Sequence, residues 1–206
     1  LGSEFDMRFR AIVHFYGVDL ITYKRKYRKS PQVNEFLRIF SAYLTTQLED
    51  SCPPSWDACS PQFWEELIIV CLPRYMRVSN KQKETETFLL HLKRFVYWLD
   101  KRNHCSWTKV VEKFVEQYAS ELKTCEAVLK DLHLDAFPKV LDNDWNMKDE
   151  LDRLSGNLQE YSSTVNSIFE VVNISNHIID LYDIHSTMPY QIIIFPTKRL
   201  LPGILF

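Results

Sequence analysis

The strongest constraint on the fold is an amphipathic stretch at residues 79–101, SNKQKETETFLLHLKRFVYWLDK. Its apolar residues recur at intervals of three and four, the period of one buried helix face. They are Phe88, Leu89, Leu92, Phe95, Val96 and Leu99. Ser79 and Gln82 have capping-box spacing, so the sequence predicts that this helix begins at Ser79. Because its opposite side is basic and aromatic, we expect a core helix whose outer face meets an acidic partner.

Three further segments have a helical period. Residues 31–48 and 61–72 each follow a Ser-Pro pair, which places serine at the N-cap and proline at the first helical position. Ser106 predicts the start of another helix that ends near Leu132. Residues 1–6 resemble a cloning scar, with Met7 as the expected native start. The short connections predict a helical domain of four to five helices over residues 7–155.

The pattern becomes β-like after Ser155 and Gly156. The segments IFEVVNI and HIIDLYDI flank a polar turn at Ser175 and Asn176, and a second turn leads to YQIIIFP. A final short run, ILF, closes the chain. These segments predict a small antiparallel sheet or partial small barrel over residues 157–206, and hence an α+β protein. Because the last strand ends on Phe206 without a polar tail, we expect the native chain to continue and the β domain to be truncated.

Composition excludes several classes of function. The glycines Gly17, Gly156 and Gly203 are too far apart for a Walker loop, a dinucleotide fingerprint or a serine-hydrolase elbow. Five cysteines are an odd number, which argues against a secreted disulfide framework. No apolar run reaches the roughly 18 residues needed to span a bilayer. We therefore expect a cytoplasmic, non-enzymatic protein that binds no cofactor and no membrane.

Two small groups of residues contain side chains that can bind a metal or transfer a proton. Cys52 and Cys59 flank the loop PPSWDA, which suits a local disulfide or half of a metal site, but no second Cys/His pair at ligand spacing accompanies them. Asp183 and His185 are two residues apart on a predicted strand, where they would share one face and pair. An acid/base role also needs a pocket and a third group. The sequence therefore predicts neither a metal site nor a catalytic residue.

Basic residues are concentrated in two places that suit nucleic acid. The densest run is Lys24, Arg25, Lys26, Arg28 and Lys29, interleaved with Tyr23 and Tyr27. The second set lies on the outer face of the predicted core helix and comprises Lys93, Arg94, Tyr97 and Lys101. Such side chains neutralise phosphates and contact the sugar-phosphate backbone, so the sequence predicts DNA or RNA binding if both sets share one side. The alternative is a solvated link whose tyrosines pack on the helical domain.

The helical segments SPQVNEFLRIFSAYL, SPQFWEELIIVCL and LLHLKRFVYWLDKR succeed one another along the chain. Their order over residues 31–103 resembles that of the SAM-like core-binding domain at the N-terminus of tyrosine recombinases. The resemblance implies a helical module that contacts the DNA backbone. It includes none of the family's catalytic Arg, His and Tyr residues, so it implies no catalytic role here.

A protein–protein adaptor or assembly module is the alternative function. The chain has five tryptophans, and indole is favoured at interfaces as well as in cores. Trp56 in the Pro-rich loop and Trp145 in the acidic link are the candidate anchors for a protein partner. An open edge of the predicted sheet would suit a partner or a second copy of the chain.

Overall fold

The computed structural model describes residues 15–47, 52–137, 139–140, 142, 145–146, 148, 167–175 and 178–193. The helices are α1 (Gly17–Lys26), α2 (Pro31–Ala42), α3 (Pro61–Glu66), α4 (Leu72–Tyr75), α5 (Glu84–Asn103) and α6 (Thr108–Ala136). The strands are β1 (Phe169–Ser175), β2 (Ile178–Asp183) and β3 (Pro189–Ile193). Helices followed by a small antiparallel sheet confirm the predicted α+β class. The predicted final strand at residues 204–206 lies outside the described residues.

The described residues form two compact units that divide inside α6, between Glu126 and Ala127. The helical unit contains the described residues up to Arg77 and residues 81–126. The sheet unit contains residues 78–80 and the described residues from Ala127 onward. No helix in the described ranges is long and apolar enough to cross a membrane.

The two Ser-Pro signals begin helices as predicted. The Ser30 hydroxyl accepts a hydrogen bond from the Val33 N–H, and the Ser60 hydroxyl accepts one from the Phe63 N–H, each at 3.3 Å. Each helix then continues into a π-helical turn, Tyr43–Gln47 after α2 and Leu67–Cys71 after α3. At both helix starts, the serine oxygen satisfies one of the backbone N–H groups that the first turn of a helix leaves without a partner.

The basic run near the N-terminus belongs to a helix and does not form the link expected before the first helix. Lys24, Arg25 and Lys26 occupy the last turn of α1, and residues 27–29 form the turn that follows. Cations at this end of a helix are stabilised by the partial negative charge of its C-terminus. The run is therefore held by regular structure and is not a flexible arm.

The core helix α5 begins at Glu84, five residues after the predicted capping box at Ser79. Gln82 has a positive φ of 49°, so the chain is not helical there. The cap comes from α6, where the buried Glu126 carboxylate accepts hydrogen bonds from the Glu84 N–H at 2.9 Å and the Thr85 N–H at 3.2 Å. A long-range partner has replaced the local one, which no local sequence pattern reveals.

The start of α6 is also capped from a distance. The Asp100 carboxylate accepts hydrogen bonds from the Trp107 N–H at 3.0 Å and the Thr108 N–H at 2.8 Å. It also accepts one from the Thr108 hydroxyl at 2.6 Å. The predicted cap, Ser106, makes no such hydrogen bond with any of the described residues. Asp100 therefore connects the end of α5 to the start of α6.

Aromatic rings dominate the core of the helical unit. Phe95 of α5 is fully buried and lies within 5.0–5.9 Å, centroid to centroid, of Tyr23, Phe36, Phe40 and Trp56. The predicted apolar stripe of α5 is confirmed, since each of its six residues is at most 3% exposed. Close-packed rings bring large apolar area out of water and interact edge to face as well. This packing makes α5 the central element of the unit.

The sheet unit has strand order β1-β2-β3, with both pairs antiparallel, as the hairpin pattern predicts. One sheet face packs on the last part of α6, and its fully buried residues are Val128, Val171, Ile179 and Leu181. The opposite face carries a polar network, in which Asp180 accepts hydrogen bonds from the side chains of Asn173 at 3.0 Å and Gln191 at 2.8 Å. Within the described ranges, this core cluster has four buried apolar residues.

Candidate nucleic-acid interface

Helices α1 and α5 contact each other through side chains at two levels and run in opposite directions. Near the start of α1, the Asp19 carboxylate accepts hydrogen bonds from Arg102 at 2.6 Å and Asn103 at 3.0 Å, at the end of α5. One turn further along α1, the Tyr23 ring packs 5.0 Å from Phe95 and 5.1 Å from Trp98, centroid to centroid. From Asp19 to Tyr23 along α1, the contacted residues of α5 go back from Asn103 to Phe95. The two helices therefore run in opposite directions.

This arrangement brings the two basic sets together. Residues 24–29 follow Tyr23 directly, so the basic end of α1 lies beside the middle of α5, where Arg94 is located. Burial raises the pKa of Tyr23 to about 12, and the nearby Arg94 guanidinium acts in the opposite direction. The Arg94 side chain is therefore close to Tyr23, the residue that directly precedes the basic run.

The five basic side chains of the α1 set fall into two groups by exposure. Lys24 is half-buried, and its ammonium donates a hydrogen bond to the Asn34 side chain on α2. The other four, Arg25, Lys26, Arg28 and Lys29, are exposed. The Lys26 ammonium lies 5.5 Å from the centroid of the Tyr27 ring. Lys24 therefore helps to hold α1 to α2, while the remaining four cations face solvent.

On α5, Arg94, Tyr97 and Lys101 are exposed and spaced by three and four residues, so they form one row along the helix. The Lys101 ammonium lies over the Tyr97 ring, 4.3 Å from its centroid. Lys93 lies on the flank of this row and is half-buried. We call the exposed cations of both helices the basic surface: Arg25, Lys26, Arg28, Lys29, Arg94 and Lys101.

The basic surface lacks neutralising partners. Within the described ranges, none of its six side chains, nor that of Lys93, has a carboxylate oxygen within 4.0 Å. Other cations of the helical unit are paired: Arg38 lies 2.6 Å from Glu35, and Arg102 lies 2.6 Å from Asp19. The unit therefore presents a local positive surface although the whole chain has a net charge of −2.

The tyrosines of the basic run are structural, which corrects their expected contact with nucleic acid. Tyr23 is 1% exposed, and Tyr27 is half-buried with its ring 4.8 Å from that of Tyr23. Both rings hold α1 against the helical core, as the alternative interpretation of this run predicts. The exposed aromatic side chain beside the cations is Tyr97 instead.

Neither tryptophan proposed as a partner anchor is exposed. Trp56 is 4% exposed, its indole N–H donates to Asp19 at 2.8 Å, and its ring lies 4.1 Å from that of Tyr16. This burial corrects the expectation that Trp56 anchors a partner, because the loop folds back onto the core. Trp145 is half-buried and packs edge-on against Phe137 at 6.2 Å.

Asp19 is a buried structural residue that the sequence interpretation missed. It is buried, and it accepts hydrogen bonds from Trp56, Arg102 and Asn103, so it connects the loop, α1 and α5. A sequence signal existed, since Asp19 lies between Tyr16, Leu20 and Tyr23 on the apolar side of α1. A carboxylate on an apolar helix face requires buried donors.

The other two candidate constellations are not assembled among the described residues. Asp183 does not pair with the His185 imidazole. Its carboxylate accepts hydrogen bonds from the hydroxyls of Ser167 and Ser186, each at 2.6 Å, which holds its pKa below the ordinary range. All five cysteines are free, including Cys52 and Cys59. In the part of the chain that the structure describes, no three His, Cys, Asp or Glu side chains form a metal site.

Comparison of the chain with protein-family models, curated proteins and solved structures finds no match. The resemblance of residues 31–103 to the core-binding domain of tyrosine recombinases therefore stays a prediction.

Proposed function

We propose that the helical unit binds the phosphate backbone of nucleic acid through the basic surface. The observation that carries this proposal is the packing of Tyr23 on Phe95 and Trp98, which brings two basic sets without described carboxylate partners onto adjoining helices. Cations without carboxylate partners attract polyanions, and binding releases counterions from the phosphates. Support also comes from rigidity, because both helices are anchored in one aromatic core.

The proposed role is non-enzymatic. Backbone contacts position a protein on DNA or RNA without reading its sequence, so this surface by itself confers affinity and little sequence specificity. Lys24 and Lys93, which are half-buried, would add positive potential at the flanks of the surface. A regulatory role and a cytoplasmic location stay predictions.

The test is binding of a fluorescent oligonucleotide over a series of salt concentrations. With four to six phosphate contacts, the association constant should fall roughly as the third to fifth power of the salt concentration. The double variant Arg25→Glu/Arg94→Glu should bind more weakly with a shallower salt slope, by about 1 for each lost contact. The matched control is Lys109→Glu/Lys113→Glu, which makes the same charge change at exposed positions of α6. Salt-insensitive binding, or equal loss in both variants, would contradict the proposal.

The adaptor alternative is less well supported. Trp56 is buried and Trp145 is half-buried, so neither presents its indole to a partner. Among the described residues, β1 and β3 each pair with β2 alone, and edge pairing with a protein partner or a second copy stays a prediction.

A further inference from the structure

Tyr97 differs from almost all other aromatic residues of the protein. Of the described aromatic side chains, only Tyr97 and Tyr182 are exposed, at 53% and 37%. Tyr182 lies in the sheet unit. Tyr97 lies within the basic surface, in the row between Arg94 and Lys101. The other described rings of the helical unit are buried or half-buried, so an exposed ring among cations without described carboxylate partners calls for an explanation.

The surroundings of Tyr97 suit a stacked base. Lys101 lies over the ring at 4.3 Å, which favours a defined ring orientation through a cation–π interaction. No other aromatic ring among the described residues packs on Tyr97, so the ring face opposite Lys101 is not stacked against another described aromatic side chain. Arg94 lies one turn before the ring and Lys101 one turn after it, about 4.5 and 6 Å away along the helix axis.

We infer that the basic surface binds single-stranded nucleic acid, with an unpaired base stacked on Tyr97 and the phosphates on either side contacting Arg94 and Lys101. This inference rests on the proposed function and assigns its ligand class. A base within a duplex is already stacked on both faces, so its rings are not accessible to a tyrosine on a convex helix. Proteins that hold single strands combine a basic track with aromatic platforms in this way.

The test uses two probes that differ only in their bases. One is an oligothymidine of about 12 nucleotides, and the other is an abasic oligonucleotide of the same length with the same phosphates. Wild-type protein should bind the oligothymidine roughly five- to hundredfold more tightly, which corresponds to one stacked base. A fluorescence anisotropy titration at one fixed salt concentration measures both affinities.

The variants isolate the ring. Tyr97→Leu should lose the preference for oligothymidine and bind both probes alike, while Tyr97→Phe should keep it. Tyr182→Leu, which removes the exposed ring of the sheet unit, should leave both affinities unchanged. Because Tyr97 is 53% exposed, its replacement should not unfold the protein.

The outcomes separate the two proposals. Equal binding of both probes by the wild type, or a preference that persists in Tyr97→Leu, would overturn the stacking inference and leave phosphate binding intact. A duplex of the same length bound as tightly as oligothymidine would also overturn it. Failure to bind any of the probes would contradict the proposed function itself, and the inference with it.

Discussion

The helical unit and the sheet unit bury their side chains on very different scales. The core of the helical unit is a continuous set of nested rings and aliphatic side chains centred on Phe95. Among its described residues, the sheet unit has four buried apolar residues, contributed by α6, β1 and β2. Because buried apolar area is the main source of stability, we expect the helical unit to be much the more stable. A binding surface on that unit is therefore carried by a rigid support.

The largest expected effect is loss of the central ring. Phe95→Ala should lower the free energy of unfolding of the helical unit by about 3–5 kcal/mol, because it removes apolar contacts and leaves a cavity among packed rings. Urea unfolding followed by tryptophan fluorescence measures the change. In the sheet unit, Leu181→Ala should have a smaller effect on this transition. Hydrogen exchange should show that the amides that lose protection in Leu181→Ala are mainly those of β1, β2 and β3.

The exposed position Val172 on the sheet supplies the control for that experiment, since it is 55% exposed. Val172→Ala should change neither the urea transition nor the exchange of the sheet. A Leu181→Ala effect on the fluorescence transition as large as that of Phe95→Ala would refute the contrast between the two units.

The second prediction compares the loss of two buried aspartates, one in each unit. Asp19→Ala should cost the helical unit about 2–3 kcal/mol, because it leaves the Trp56 indole N–H buried without an acceptor and removes the partner of Arg102. Asp183→Ala should act locally, since the Asp183 carboxylate accepts hydrogen bonds only from residues 167 and 185–186 among the described residues. Thermal unfolding and residue-resolved hydrogen exchange of both variants measure the difference. Loss of α1 protection in Asp183→Ala would contradict this assignment.

The smallest expected effect is a change in the free energy of unfolding with pH, and its source is His91. Its imidazole is 8% exposed, its Nδ1 has no hydrogen-bond partner among the described residues, and burial, with Arg94 adding to it, lowers its pKa. The unfolded chain, with a histidine pKa of about 6.5, therefore binds more protons than the folded protein as the pH falls below that value. Stability should decrease from pH 7 to pH 5.

His91→Phe should reduce this decrease, while His104→Asn, at an exposed position with positive φ, should not. Urea unfolding at the two pH values gives the comparison. A decrease of the same size in wild type and His91→Phe would rule out His91 as its source. The sheet unit has no buried histidine among its described residues, so its hydrogen exchange should not follow this change.

Much of the fold could be predicted because its signals are local. The Ser-Pro starts of α2 and α3 and the strand pattern of β1, β2 and β3 all correspond to short-range preferences of the backbone. The helix starts that were predicted at Ser79 and Ser106 depend instead on Glu126 and Asp100, which approach through tertiary contacts. A local capping signal cannot compete with a buried carboxylate that satisfies two backbone donors.

The sequence by itself determined which residues form the candidate site, but not how they are arranged. It identified the two basic sets and the apolar stripe of α5, because charge and helical period are readable along the chain. Only the tertiary structure decided that α1 packs antiparallel on α5, so that the two sets adjoin. It also decided that Tyr23, Tyr27 and Trp56 are packed against the core while Tyr97 is exposed. The physical reason is that tyrosine and tryptophan combine an apolar ring with a polar group, so either can lie in a core or at a surface, and the packing partners select between the two.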